Sequence, residues 1–121
     1  MKTILIIDDD ARNIFALSAV LKAHGFQTAS AGTMKDAFHL LKNNKEVSMI
    51  LLDMMMPEMD GYEAIPKLKS AEGTKHIPII SVTAQAMPGD REKCLQAGAD
   101  GYVPKPIDVA QLFSLLDGFL N

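Results

Sequence analysis

The chain reads as an α/β protein: a doubly wound, five-stranded parallel sheet with helices on both faces. Three observations predict it. Apolar runs of strand length alternate five times with segments of helical period. Three runs, Ile4-Leu5-Ile6-Ile7, Met49-Ile50-Leu51-Leu52 and Ile79-Ile80-Ser81-Val82, are almost continuously apolar, as strands covered on both faces are. Four runs lead into a residue suited to phosphate or metal chemistry, namely Asp8, Asp53, Thr83 and Lys105.

The first strand is expected over Thr3–Asp8. A helix follows over Ala11–His24, with Ile14, Leu17, Val20 and Leu21 on one face and Asp10 as its N-cap. Gly25 ends it, because a helix C-terminus favours a left-handed residue. The second strand is expected at Phe26–Ala31 and the second helix at Thr33–Asn43, with Thr33 as N-cap. The third strand, Met49–Asp53, precedes a turn at Asp60-Gly61, where Gly61 would supply a positive φ. The third helix covers Tyr62–Ser70, and Pro66 inside it should kink or shorten it. The fourth strand is expected at Ile77–Val82. The fourth helix should begin near Pro88, since proline suits a first turn, and end before Gly98. The fifth strand is Gly101–Val103 and the last helix runs from Asp108, an N-cap candidate, to about Leu120.

Parallel strands joined by helices require right-handed crossovers. The flavodoxin-like strand order 2-1-3-4-5 places the topological switch point between strands 1 and 3, and ligands bind beyond the carboxyl ends of the strands. Strand 1 runs into Asp8-Asp9-Asp10 and strand 3 ends at Asp53, so this topology brings the acidic groups together.

The 121 residues suit one domain, residues 1–121, able to bury about two-thirds of its unfolded surface. With 48% apolar and 22% charged residues it is not a disordered chain. A net charge of -3 argues against direct nucleic-acid binding. No apolar stretch reaches membrane-spanning length. Met1-Lys2-Thr3 enters a strand at once, which leaves no room for a leader, so a cytoplasmic location is expected. The lone Cys94 is expected in the core, and His24, His39 and His76 lack metal-ligand spacing. The run Met54-Met55-Met56 is expected to pack.

Several carboxylates at one sheet edge repel and need a proton or a cation. Oxygen ligands without His or Cys favour Mg²⁺, which keeps several waters and a phosphoryl oxygen. Thr83 can donate a hydrogen bond to that oxygen and Lys105 can supply charge. A carboxylate in such a site can act as a nucleophile and form an aspartyl phosphate.

Ile6-Ile7-Asp8-Asp9, Leu52-Asp53, Met56-Pro57-Glu58-Met59-Asp60-Gly61, Val82-Thr83-Ala84 and Gly98-Ala99-Asp100-Gly101-Tyr102 followed by Lys105-Pro106 occur in that order. Singly they are common; together, at these spacings, they are specific. The chain resembles the receiver domain of two-component response regulators over its whole length, in particular the single-domain, chemotaxis-regulator-like kind. The resemblance implies that Asp53 is the phosphoacceptor, that Asp9 ligates Mg²⁺ directly, and that Asp8 holds a metal-bound water. It also implies that Met55 gives its backbone carbonyl to the metal and that Thr83 binds the phosphoryl group. Lys105 would pair with Asp53 or its phosphate, the Lys105-Pro106 bond would be cis, and Tyr102 would be an aromatic switch coupled to Thr83. The implied partners are a histidine kinase or phosphotransfer protein upstream and a protein downstream. The downstream contact would use the face of helix 4, strand 5 and helix 5, with Arg91, Lys93, Tyr102 and Gln111, and phosphorylation can bring dimerisation. Met55 and Gln85 would flank the hydrolytic water, and an apolar Met55 implies slow self-dephosphorylation. The family catalyses only its own phosphorylation and dephosphorylation.

Two alternatives remain open. Asp8-Asp9-Asp10-Ala11-Arg12-Asn13 resembles receivers of hybrid histidine kinases, which would supply the phosphoryl donor in cis. A small phosphatase of the haloacid dehalogenase type would use Asp8 as nucleophile and Asp10 as acid. That reading leaves Asp53 unexplained in a chain that looks too short for it.

Overall fold

Strand and helix alternate along the whole chain in the computed structural model, which describes residues 2–84 and 89–120. The elements are β1 (Thr3–Ile7), α1 (Ala11–Ala23), β2 (Gln27–Ala31), α2 (Met34–Asn43), β3 (Val47–Asp53), α3 (Gly61–Ser70), β4 (Ile79–Thr83), α4 (Asp90–Ala97), β5 (Gly101–Pro104) and α5 (Val109–Leu120). All strand pairs are parallel, in the order β2-β1-β3-β4-β5. This is the doubly wound, flavodoxin-like sandwich that the alternation predicts.

Side chains alternate across each strand, so one sheet feeds two cores. Leu5, Ile7, Ile50, Leu52 and Ile79 pack with Ala37, Ile65 and Leu68 from α2 and α3. Ile4, Ile6, Met49, Leu51 and Val103 pack with Leu21, Leu112 and Leu116 from α1 and α5. The central strands are buried on both faces, which accounts for their continuous apolar runs. Cys94 is in the core as expected.

The helix ends follow their local chemistry. The Asp10, Thr33 and Asp60 side chains accept from the amides of Arg12, Asp36 and Glu63 and start α1, α2 and α3. Asp108 Oδ1 accepts from the Ala110 and Gln111 amides and starts α5. Gly25 follows α1 at φ +97°. His24, the last cap of α1, stacks on Phe113 at 3.8 Å between ring centres and ties α1 to α5. Lys2 Nζ donates to the Leu120 carbonyl, closing β1 against the end of α5.

Several boundaries differ from expectation for identifiable reasons. β3 begins at Val47 because Val47 pairs with Thr3, and the register then shifts so that Ile4 meets Met49. The polar Ser48 in between hides this pairing. β4 begins at Ile79, since the Ile77 amide turns back to the Thr74 carbonyl and Pro78 has no amide. Pro66 does not shorten α3, which runs ten residues through it. Gly61 has no positive φ. It is the first residue of α3, and the hydrogen in place of a side chain makes room for Met54, whose Cα would lie 3.1 Å from an added Cβ. The expected start of the fourth helix at Pro88 lies outside the described residues.

Gly98, the C-cap of α4, has φ +118°, and a Cβ there would lie 3.0 Å from Ile65 Cγ2. Gly98→Ala is expected to destabilise the fold by about 1–3 kcal/mol. Urea unfolding would read this as a lower midpoint at unchanged slope.

Candidate functional site

Register places the chemical groups. Ile7 pairs with Leu52, so Asp8, the next residue, emerges beside Asp53. Asp53 pairs with Val82, so Thr83 lies one step further along β4. Thr83 pairs with Pro104, and the Lys105 amide donates to the Thr83 carbonyl at 2.8 Å. Four strand ends thus converge on one edge. The Lys105-Pro106 bond that follows is cis.

Asp8 and Asp53 are 3% and 6% exposed, Thr83 is fully buried, and Asp9 faces solvent. One carboxylate oxygen from each of Asp8, Asp9 and Asp53 lies within 4.8 Å of the others. Backbone amides orient the two buried acids: Asp10 N donates to Asp8 Oδ1 at 2.8 Å and Met55 N to Asp53 Oδ1 at 3.1 Å. Lys105 Nζ bridges them, 3.7 Å from Asp53 Oδ1 and 3.9 Å from Asp8 Oδ2. Burial first, and then the Asp53 charge, push the Asp8 carboxyl above its ordinary range, against the Asp10 amide, Lys105 and Asn13. Two carboxylates this close, at about 5 Å and an effective dielectric near 20, repel by roughly 3 kcal/mol at most. One lysine offsets part of that. The set is all oxygen, with no His or Cys, and suits a small hard dication.

Asp10 is turned away from this cluster, capping α1 and pairing with the exposed Arg12 at 3.3 Å. Met54 and Met56 are buried as expected, but Met55 is 51% exposed. It sits in the loop after β3, where strand periodicity no longer applies. Gln85 lies outside the described residues. A cleft of about 540 Å³ between α1 and α5, lined by Leu17, Val109 and Leu112, opens beside Asp8 and Lys105.

Tyr102 has a partner that its sequence position does not reveal. Its hydroxyl donates to Asp90 Oδ2 at 3.1 Å, while the Tyr62 hydroxyl donates to Asp90 Oδ1 at 2.9 Å. Asp90 opens α4, Tyr62 lies in the first turn of α3, and Tyr102 is on β5. No spacing links three residues so far apart in the chain. On the other side of this cluster Arg91, Lys93 and Gln111 are exposed, and Arg91 and Gln111 line a shallow cleft with Tyr102.

Residues 4–117 match the response regulator receiver domain family. The chain belongs to that family. A polar-differentiation response regulator, DivK, of Brucella ovis is 33% identical over 120 residues, covering 99% of this chain and 97% of that one. A probable histidine kinase 4 of Oryza sativa subsp. japonica is 32% identical over 140 residues, and the match spans 99% of this chain but only 14% of the kinase. The receiver domain of the sensor histidine kinase PA1611 of Pseudomonas aeruginosa superposes with a TM-score of 0.87 at 32% identity, covering 98% of this chain and 96% of that domain. That structure has a magnesium ion coordinated in its active-site cleft. A receiver domain of a two-component response regulator is in general a phosphorylation-activated switch, and this receiver carries an acidic cluster at the carboxyl edge of its sheet. Among the described residues no helix is long and apolar enough to cross a membrane.

Proposed function

We propose that this receiver accepts a phosphoryl group on Asp53 from a phosphohistidine and signals through a protein contact that phosphorylation alters. The observation that carries the reading is the convergence of three carboxylates within 4.8 Å, bridged by Lys105 and bordered by the buried Thr83. An Asp53 carboxylate oxygen attacks phosphorus, the phosphorus–nitrogen bond breaks, and its electron pair stays on the donor imidazole. The Met55 amide holds Asp53 in position, and the Lys105 ammonium accompanies charge on the phosphoryl oxygens. Asp8, Asp9, Asp53 and the Met55 carbonyl would hold Mg²⁺. When bound, that ion supplies charge neutralisation at the phosphoryl oxygens.

The donor is a histidine kinase or phosphotransfer protein, and the response is read on the α4-β5-α5 face around Arg91, Lys93, Tyr102 and Gln111. Dimerisation through that face is one form the response can take. A cytoplasmic site of action follows from this chemistry, since the donor obtains its phosphoryl group from a nucleotide. The similarity to DivK supports a receiver acting by itself. The similarities to two histidine kinases support the second reading, a receiver that serves a kinase in cis. Treatment with acetyl phosphate and Mg²⁺, followed by mapping of the modified residue, tests the site. Modification at Asp53 is expected. Modification at Asp8 would replace this reading with the phosphatase one.

Mg²⁺ is also expected to stabilise the unmodified protein. At ten times its dissociation constant the gain is about 1.4 kcal/mol, which is several degrees of melting temperature for a domain of this size. Asp9→Ala should lose most of that shift. Equal shifts in the two proteins would count against the metal site.

A further inference from the structure

We infer that Asp90 is a latch that joins α3, α4 and β5 through the Tyr62 and Tyr102 hydroxyls and holds the receiver in its unphosphorylated state. The inference rests on the phosphorylation reading above and adds a control element that the chemistry at Asp53 does not use.

The Asp90 carboxylate is 4% exposed. Among the described residues it pairs with no lysine or arginine. A buried carboxylate without a cation must be solvated by donors, and here two tyrosine hydroxyls do so, one on each oxygen, at 2.9 and 3.1 Å. Hydrogen bonds to a charged acceptor are stronger than neutral ones. The first turn of α4 adds a favourable field at the same place. Burial, and then the bond to Asp90, hold the Tyr62 hydroxyl protonated far above the ordinary tyrosine range, so it remains a donor. The Tyr62 hydroxyl also lies 3.9 Å from Cys94 Sγ, one turn further along α4.

The position of the latch gives it leverage. Asp90 opens α4 seven residues after Thr83, which ends β4, so the latch sits close in the chain to the group that would contact a phosphoryl group on Asp53. Tyr102 is both a latch partner and part of the α4-β5-α5 face. A shift of α4, or a rotation of Tyr102, breaks bonds to Asp90 that have no solvent replacement in a buried site. Tyr62 touches no reacting atom and acts on the switch through Asp90, so it is a positioning residue.

Beryllofluoride, a phosphoryl mimic, tests this by calorimetry at saturating Mg²⁺. Tyr62→Phe removes one hydroxyl and little else, and Asp90→Asn keeps the shape while removing the charge. Both are expected to bind beryllofluoride at least threefold more tightly than wild type, with unchanged affinity for Mg²⁺ alone. Tyrosine fluorescence should report the same change, because the chain has two tyrosines and no tryptophan. If Tyr62→Phe lowers the melting temperature and leaves beryllofluoride affinity unchanged or weaker, the contact is structural and the latch is overturned. If wild type itself binds no beryllofluoride, the phosphorylation reading fails and the latch with it.

Discussion

Asp53→Asn will accept no phosphate from acetyl phosphate under conditions in which wild type is fully modified. The amide has no charge and is a poor nucleophile, and no neighbouring acid can take its place. Asp8 is held by the Asp10 amide, and burial raises its carboxyl above the ordinary value. Asp9 is exposed, and among the described residues no amide orients it as the Met55 amide orients Asp53. The expected loss is at least a thousandfold in labelling rate, about 4 kcal/mol in barrier height. Chelation of Mg²⁺ should have a comparable effect on wild type. Intact-protein mass spectrometry reads both, and residual labelling of the Asn variant above a few per cent would remove Asp53 from its role. The substitution preserves shape and relieves repulsion from Asp8, so the folded state should persist and make the loss interpretable.

Thr83→Ala should separate accepting the signal from transmitting it. The Thr83 side chain is buried at the end of β4, one residue past the pair of Asp53 with Val82. A phosphoryl group can shift the conformational equilibrium only by contacts that differ between the two states. A hydrogen bond to a charged acceptor is worth about 1.5–3 kcal/mol, or roughly ten- to a hundredfold in that equilibrium. Thr83→Ala is expected to label at nearly the wild-type rate and to lose most of the tyrosine fluorescence change on modification. Thr83→Ser, which keeps the hydroxyl, should behave as wild type. If the Ala variant shows the full fluorescence change, the hydroxyl does not carry the coupling.

The strand ends were legible in the sequence because a strand buried on both faces is an uninterrupted apolar run, and its last residue is where a charge first becomes tolerable. That rule locates Asp8, Asp53 and Thr83 without any contact information, whereas Lys105 follows the half-buried β5, and parallel pairing then places the four together. The same rule misplaces the start of β3, since Ser48 breaks the run while the backbone still pairs. Local rules also fail where a residue serves a distant neighbour. Gly61 reads as a turn glycine, but its small size serves the approach of Met54. Met55 reads as one of three packing methionines, yet it is half-exposed because the loop has no period. Nothing in the sequence singles out Asp90, whose two tyrosine partners lie 28 and 12 residues away. Pairings of this kind depend on three-dimensional register and leave no trace in spacing.

The bond between Lys2 and the Leu120 carbonyl has a consequence for how such a domain can be used. Gly101, where β5 begins, lies against Leu115 and Phe119, so α5 runs back along the sheet and finishes beside the start of β1. Lys2 and Leu120, the first and last described residues, therefore lie together at the rim opposite the acidic cluster. A carrier fused at either end, or at both, hangs away from the approach route of the phosphoryl donor. With Lys2 and Leu120 already joined, the module can be spliced into a longer polypeptide as a side loop without prising the sheet open. Acetyl phosphate labelling of such fusions should match that of the isolated chain.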